Sequence, residues 1–205
     1  EDGMALEYAP ADLKADREVV LEAISVRSNA FRYADAALRR NRDFVRQAVS
    51  QNGDALEYAA DSLKADREVV LQAVKTHGWA LEYAADMLKT DQEVVLEAIK
   101  QTRHSFRYAD PALKRDKDFV LQAIKKSGGY AFLFADDGLK RDKDFVMQAV
   151  KQNGFALQLA TDTLKADKDV VLEAVKQKGF ALDDAADGLK ADPAIVLEAL
   201  GQQAG

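Results

Sequence analysis

A chain of 205 residues, of which 48% are hydrophobic, is long enough to bury a sizeable core without disulfides or metals. The absence of cysteine excludes disulfide frameworks, thiolate nucleophiles and thiolate metal sites. A net charge of −6 argues against a general nucleic-acid coat, and no apolar run approaches the length of a membrane-spanning helix.

The first feature along the chain is an internal repeat with a period of 25 residues and a single step of 26. Such a period predicts stacked units that share one core. The small residue that opens each unit is Ala5, Ala30, Ala55, Ala80, Ser105, Ala131, Ala156 or Ala181. The eight repeats lie near residues 3–27, 28–52, 53–77, 78–102, 103–128, 129–153, 154–178 and 179–205.

Each repeat contains two apolar runs with helical spacing, which predict a helix, a turn and a second helix. In repeat three these runs consist of Ala55, Leu56, Ala59 and Leu63, and then of Val69, Val70, Ala73 and Val74. Asp66 precedes the second run and is predicted to be its N-cap. Lys64 ends the first helix, where positive charge complements the helix dipole. Four glycines that open repeats are predicted to adopt a left-handed, helix-ending conformation: Gly53, Gly78, Gly154 and Gly179.

Helices this short are marginal alone, so each repeat must bury its apolar face against its neighbours. The predicted fold class is therefore all-α, a right-handed α-solenoid of eight helix-turn-helix repeats that forms one domain over residues 1–205. In repeat eight, Asp184 replaces the usual aromatic and Pro193 opens the second helix, which predicts a C-terminal cap with a polar outer face. The column of Tyr8, Tyr33, Tyr58, Tyr83, Tyr108, Phe134 and Leu159 predicts a core ladder between repeats.

The segment Gly-Trp-Ala-Leu-Glu-Tyr-Ala-Ala-Asp-Met-Leu-Lys-Thr-Asp-Gln-Glu-Val-Val-Leu-Glu-Ala, residues 78–98, resembles the repeat family described as domain of unknown function 4116. The likeness covers nearly the whole chain and departs at Arg46, where the repeat expects Leu, and at Asp184, where it expects Tyr. That family has no assigned activity and occurs in bacteria, unicellular algae and protists. The resemblance implies an all-helical repeat protein with no catalytic residues to carry over.

The residues themselves do not indicate an active site. His77 and His104 lie in different columns, with no carboxylate placed by the repeat to complete a metal site. Residues 136–138 and 183–188 are better interpreted as solvated turns than as calcium loops, because the second segment lacks the required acceptors. We therefore expect no catalytic residue, no cofactor and no metal.

Two columns vary between repeats, and the variable positions of a repeat protein are where a partner is recognised. The first column contains Met4, Asn29, Asp54, Trp79, His104, Tyr130, Phe155 and Phe180. The second contains Glu7, Arg32, Glu57, Glu82, Arg107, Leu133, Gln158 and Asp183. Drift at a helix edge is the plain alternative. The predicted partner-binding residues are Trp79, His104, Tyr130, Leu133, Phe155 and Phe180.

The segment from Arg27 to Asn52, which is repeat two with the residue before it, and repeat five each carry a local charge of +4. Such basic segments favour an anionic partner, although a solvated charged face is the commoner outcome. The residues predicted to face an anion are Arg32, Arg39, Arg40, Arg42, Arg46, Arg107 and Arg115.

These patterns predict a non-catalytic scaffold or adaptor that binds protein partners. The alternative is an accessory or linker subunit of a large complex, organellar or photosynthetic, and a minor alternative is an anion-binding protein that uses repeats two and five. Nucleic-acid binding and a membrane-spanning segment are not expected. The opening Glu1-Asp2-Gly3 is typical of a processed N-terminus, which leaves the cytoplasm and an organelle compartment open.

Overall fold

The computed structural model describes residues 5–203, and every regular element in that part of the chain is a helix. The prediction of an all-helical fold is confirmed. The chain divides into two compact units, Glu1–Asp110 and Pro111–Gly205, where the sequence predicts a single domain. The boundary between the units lies inside repeat five. Met4 of the first variable column lies outside the described residues.

Each repeat contains three helical segments, so the predicted helix-turn-helix unit is wrong in its first half. In repeat three the 3-10 helix Gly53–Tyr58 precedes a short α-helix, Asp61–Lys64, and a long α-helix, Arg67–Thr76. The break has a physical cause. Ala59 and Ala60 are extended, and the N–H of Ala60 donates to the carbonyl of Arg39 in repeat two, at 2.9 Å, instead of continuing a helix.

The same three segments recur along the chain. The first segment is the α-helix Ala5–Tyr8 in repeat one and a 3-10 helix in the others: Ser28–Tyr33, Gly53–Tyr58, Gly78–Tyr83, Arg103–Tyr108, Tyr130–Phe134, Gly154–Leu159 and Gly179–Asp184. The short helices are Ala11–Ala15, Ala36–Arg40, Asp61–Lys64, Asp86–Lys89, Pro111–Arg115, Asp137–Arg141, Asp162–Lys165 and Asp187–Lys190. The long helices are Arg17–Val26, Arg42–Gln51, Arg67–Thr76, Gln92–Gln101, Lys117–Ser127, Lys143–Gln152, Lys168–Gln177 and Pro193–Gln203.

The predicted N-caps of the long helices are confirmed. The Asp66 carboxylate accepts the backbone N–H of Glu68 at 3.0 Å and that of Val69 at 3.2 Å. Asp or Asn caps the long helix in the same way in every repeat, at Asp16, Asn41, Asp66, Asp91, Asp116, Asp142, Asp167 and Asp192. These bonds satisfy N–H groups that the first turn of a helix leaves without partners.

The apolar runs form the core, as their spacing predicts. All eight of the repeat-three positions predicted to be apolar helix faces are buried. Within each unit the long helices of neighbouring repeats pack on one another, and so do the first segments of neighbouring repeats. We call the contact between two neighbouring repeats a joint. The largest side chains that the joints bury completely are Phe31, Phe44 and Phe106 in the first unit and Phe119, Phe132 and Phe145 in the second.

The left-handed conformation predicted for the repeat-opening glycines is wrong. Among the described residues, only Gly128 and Gly129 have positive φ, and they contain the one inserted residue. A Cβ on Gly53 would lie 2.3 Å from the carbonyl oxygen of Ala73, and one on Gly78 would lie 2.4 Å from that of Ala98. Glycine is therefore required there because the 3-10 helix approaches the long helix of its own repeat too closely for any side chain.

The long helix of repeat eight, where the sequence predicts a polar outer face, exposes two leucines. Leu197 and Leu200 on its long helix are exposed, whereas Val175, the repeat-seven counterpart of Leu200, is buried. Repeat one also exposes apolar side chains, because Tyr8, Leu13 and Val19 are all solvent-accessible.

Candidate functional site

The two variable columns lie on one face of the first helical segments. In repeat three their members are Asp54 and Glu57, three residues apart in the 3-10 helix Gly53–Tyr58. A 3-10 helix has three residues per turn, so these two side chains project in the same direction. Because the first segments of neighbouring repeats contact each other, the columns form a surface within each unit, which we call the column surface.

An aromatic cluster occupies the column surface of the first unit. The Trp79 ring lies parallel to the His104 ring of the next repeat, with an interplanar angle of 2° and centroids 6.4 Å apart. The ring of Tyr108 meets Trp79 edge-on at 5.8 Å. Trp79 is nevertheless 39% exposed. Its orientation is fixed by its neighbours while much of its apolar surface faces solvent.

The column surface of the second unit is also apolar. Tyr130 and Phe155, in adjacent repeats, have ring centroids 5.2 Å apart at an angle of 33°. Leu133 is 43% exposed and Phe180 is 73% exposed. The structure therefore brings together Trp79 with His104 and Tyr130 with Phe155, and it leaves Leu133 and Phe180 open to solvent.

The tyrosine column is exposed at Tyr8 and half-buried from Tyr33 onward, beside the second variable column, so the predicted core ladder is wrong. Burial raises the pKa of Tyr83 to about 12, with a further contribution from the carboxylate of Glu57 in the preceding repeat. Arg107 lies over the ring of Tyr108, 5.6 Å from its centroid, and Arg32 lies 5.3 Å from the centroid of Tyr33. The rings and hydroxyls of this column therefore contact charged residues of the column surface.

Cation–carboxylate pairs cross successive joints, and the sequence analysis did not predict them. Arg42 Nε lies 2.6 Å from Asp66 Oδ2, and a second Arg42 nitrogen lies 2.7 Å from Glu68. The hydrogen bond from Arg42 holds the pKa of Asp66 below its usual value. The sequence signal for these pairs is a basic residue directly after the N-cap of a long helix, one repeat before the N-cap with which it pairs. The other pairs are Arg67–Asp91, Lys117–Asp142, Lys143–Asp167 and Lys168–Asp192.

A small groove lies at the joint between repeats two and three. Arg39 and Arg40, at the end of a short helix, line it from repeat two, and Tyr58 and Ala60 line it from repeat three. Its volume is about 120 Å³. We call it the Arg39 groove; its full lining is Ala36, Arg39, Arg40, Tyr58, Ala59 and Ala60.

Comparison with known families gives one match. The family model described as Domain of unknown function (DUF4116) matches residues 1–39, 29–64, 41–89, 66–114, 91–140, 116–165 and 167–203. The chain belongs to this family. No curated protein and no solved structure matches this chain. The tandem resemblance to DUF4116 expected from residues 78–98 is thereby confirmed along nearly the whole chain.

The arginines predicted to face an anion divide into distinct groups in the DUF4116 repeats. Arg42 and Arg115 pair with carboxylates of the following repeat; Arg115 Nε lies 3.2 Å from Asp136. Arg46 lines a different, shallow groove with Asp43 and Gln72. Arg32 and Arg107 lie over tyrosine rings. Arg39 and Arg40 line one groove together.

Within residues 5–203, the DUF4116 repeats contain no group of three His, Asp or Glu side chains arranged to hold a metal ion. In the same range, no helix combines the length and the apolar character needed to cross a membrane.

Proposed function

We propose that this chain is a non-catalytic scaffold or adaptor that binds a protein partner through its column surfaces. The observation that carries this proposal is the exposure of large apolar side chains on columns that the fold leaves free to vary: Trp79, Leu133 and Phe180. In the same helices, the neighbouring positions Ala80, Leu81 and Phe132 are fully buried.

Exposed apolar side chains of this kind suit a protein interface. Aromatic anchors dominate the binding energy of many protein complexes, and they lose little entropy when they are already held in place. The stacking of Trp79 on His104 and its edge contact with Tyr108 restrict the indole before any partner arrives. The proposed interface is therefore partly preorganised in the first unit.

We also infer that the repeats form a right-handed α-solenoid. The support is that the extensive helix–helix contacts join segments of the same repeat or of adjacent repeats. Contacts confined to nearest neighbours are typical of stacked repeats.

The binding proposal is tested with two matched triple variants. The column variant carries Trp79→Ala, Leu133→Ala and Phe180→Ala. The control variant carries Val26→Ala, Met87→Ala and Leu197→Ala, which are exposed apolar residues outside the columns. Each immobilised protein is incubated with extract of the cells that produce it, the captured protein is identified, and its affinity is then measured with purified components.

The wild type and the control variant should capture the same partner, and the column variant should bind it at least about tenfold more weakly, a loss of about 1.4 kcal/mol. Equal affinity of the column and control variants for that partner would refute the proposed interface.

A second candidate function is that of a stably assembled subunit of a larger complex. The apolar side chains that repeat one exposes, Tyr8, Leu13 and Val19, favour it, because exposed apolar patches mark contact sites. This candidate predicts that the chain in native extract migrates as part of an assembly several times its own mass of 22.5 kDa. Migration as a free chain would argue against it.

A further inference from the structure

In four repeats the cation at the end of the short helix pairs with an aspartate three residues earlier. In repeat three, Lys64 pairs with Asp61, three residues earlier, at 3.9 Å. The same pair recurs as Lys89–Asp86 at 3.4 Å, Lys140–Asp137 at 3.3 Å and Lys190–Asp187 at 3.6 Å. In repeat two the cation is Arg39, and Ala36 occupies the position of the aspartate. Arg39 has therefore lost the carboxylate that its counterparts use.

The next residue of the short helix shows a second pairing. Arg115 in repeat five forms an ion pair with Asp136 at the start of the following short helix. The corresponding residues at the joint between repeats two and three are Arg40 and Ala60. Alanine again stands where the carboxylate would be, so Arg40 lacks the partner that Arg115 has.

The Arg39 groove lies where these two carboxylates are missing. Ala36 and Ala60, which replace the aspartates, both line it. The Arg39 Nε atom is buried without a hydrogen-bond partner, and within residues 5–203 neither arginine forms an ion pair. The nearby carboxylate of Asp35 caps its own helix by accepting the Ala37 N–H at 2.7 Å. A buried donor without a partner is costly, so this guanidinium is not fully satisfied by the protein.

The cationic lining of the Arg39 groove does not recur at the corresponding groove of the second unit. In the second unit, the equivalent groove at the joint between repeats seven and eight is lined by Lys165 together with Asp162, Asp184 and Asp187. Its charge is thus opposite to that of the Arg39 groove, although the backbone positions correspond. Cationic character at the repeat-two joint therefore comes from local substitutions and not from the repeat architecture.

We propose that the Arg39 groove binds a carboxylate side chain from an acidic segment of a protein partner, which replaces the aspartates absent at Ala36 and Ala60. A carboxylate is the group that pairs with the equivalent cations elsewhere in the chain. A cavity of about 120 Å³ has room for one such group with its adjoining methylenes, and guanidinium forms bidentate bonds to it. The proposal rests on the proposed function, since the segment belongs to the protein partner.

The test uses the full chain and a synthetic probe, the capped peptide Ser-Glu-Glu-Glu-Ser, with inorganic phosphate as the second ligand. Titrations are followed by the arginine Nε–H resonances. The peptide should shift the resonances of Arg39 and Arg40 saturably, and those of Arg27 and Arg46 much less. Because no partner is needed, this result is independent of the capture experiment on the column surface.

The double variant Ala36→Asp with Ala60→Asp fills the groove with the chain's own carboxylates. Both positions carry aspartate in other repeats, so the variant should fold, and it should bind the peptide at least about tenfold more weakly. A control of equal charge, Ser62→Asp with Thr163→Asp, should bind the peptide almost as well as the wild type. Equal weakening in both variants, equal shifts of all four arginines, or binding of phosphate without the peptide would overturn the proposal.

Discussion

In the first helical segment of the repeats, the residues that form the joints and the residues of the column surface differ in burial. In the 3-10 helix Gly78–Tyr83, Ala80 and Leu81 are completely buried in the joints, whereas Trp79 is 39% exposed on the column surface. The joint positions remain small or apolar in all eight repeats, and the exposed position ranges from asparagine to tryptophan. One helix therefore contributes buried residues to the joints and leaves an exposed position free to vary.

Removal of a large joint side chain should have the largest effect on stability. Phe145 is completely buried, so Phe145→Ala should lower the free energy of unfolding by about 3–5 kcal/mol, through lost burial and the cavity left behind. Phe180→Ala, on the column surface of the same unit, should change it by no more than about 0.5 kcal/mol. Urea denaturation measures both. Equal losses of unfolding free energy in the two variants would contradict the distinction between the joints and the column surface.

Adding a side chain where the 3-10 helix meets the long helix of its own repeat should have the next largest effect on stability. Gly53→Ala places a Cβ against the Ala73 carbonyl and should destabilise by about 1–3 kcal/mol. The matched control is Gly188→Ala, since no atom lies within 4 Å of the added carbon, and alanine there should stabilise the short helix by up to about 1 kcal/mol. Opposite signs in thermal denaturation are expected, and a neutral Gly53→Ala would contradict the close approach.

Loss of an N-cap should have a smaller effect. Asp66→Ala removes two bonds to backbone N–H groups and the partner of Arg42, and it should cost about 1–2 kcal/mol. Asp61→Ala removes only an exposed pair with Lys64, and its unfolding midpoint should match that of the wild type. Indistinguishable losses in the two variants would show that the cap and its ion pair do not stabilise the joint.

Acid should remove part of the stability that these caps provide. Bonds from Arg42, Lys117, Lys143 and Lys168 lower the pKa values of Asp66, Asp142, Asp167 and Asp192. A carboxyl with a lowered folded-state pKa stabilises the fold above its unfolded value of about 4, and that contribution disappears as the pH falls further. Burial raises the pKa of Asp184, and the contribution of this carboxyl to stability therefore changes with pH in the opposite direction.

The urea concentration at the midpoint of unfolding should therefore decrease as the pH is lowered from 7 to 3. The decrease should be smaller in Asp66→Asn, because asparagine keeps a capping oxygen but cannot titrate. An acid-induced increase in the midpoint would contradict the assigned pKa directions.

Much of the fold could be predicted because the chain contains eight copies of the same sequence pattern. The buried positions and the caps follow from apolar spacing and from the Asp66 column, which depend on local rules. The break at Ala59 and Ala60 could not be predicted, because it arises from a bond between the Ala60 N–H and the Arg39 carbonyl of the preceding repeat. The role of Gly53 was misassigned for a similar reason, since a tertiary approach requires it.

The candidate site was predictable in composition but not in geometry. Variability identified the columns, yet the stacking of Trp79 on His104 depends on the spacing between neighbouring repeats. Charge counting grouped Arg39 and Arg40 with Arg42, although the structure places Arg42 against Asp66 and leaves the other two beside a groove. Counting cannot distinguish a paired cation from an unpaired one.

The most direct test is the affinity of the purified partner for the column variant relative to the control variant, measured on proteins whose free energies of unfolding are known. We predict a loss of at least about tenfold for the column variant only, with the two variants within about 1 kcal/mol of each other in stability. Equal affinities, or a loss of affinity that follows a loss of stability, would contradict the separation of joint and column surfaces.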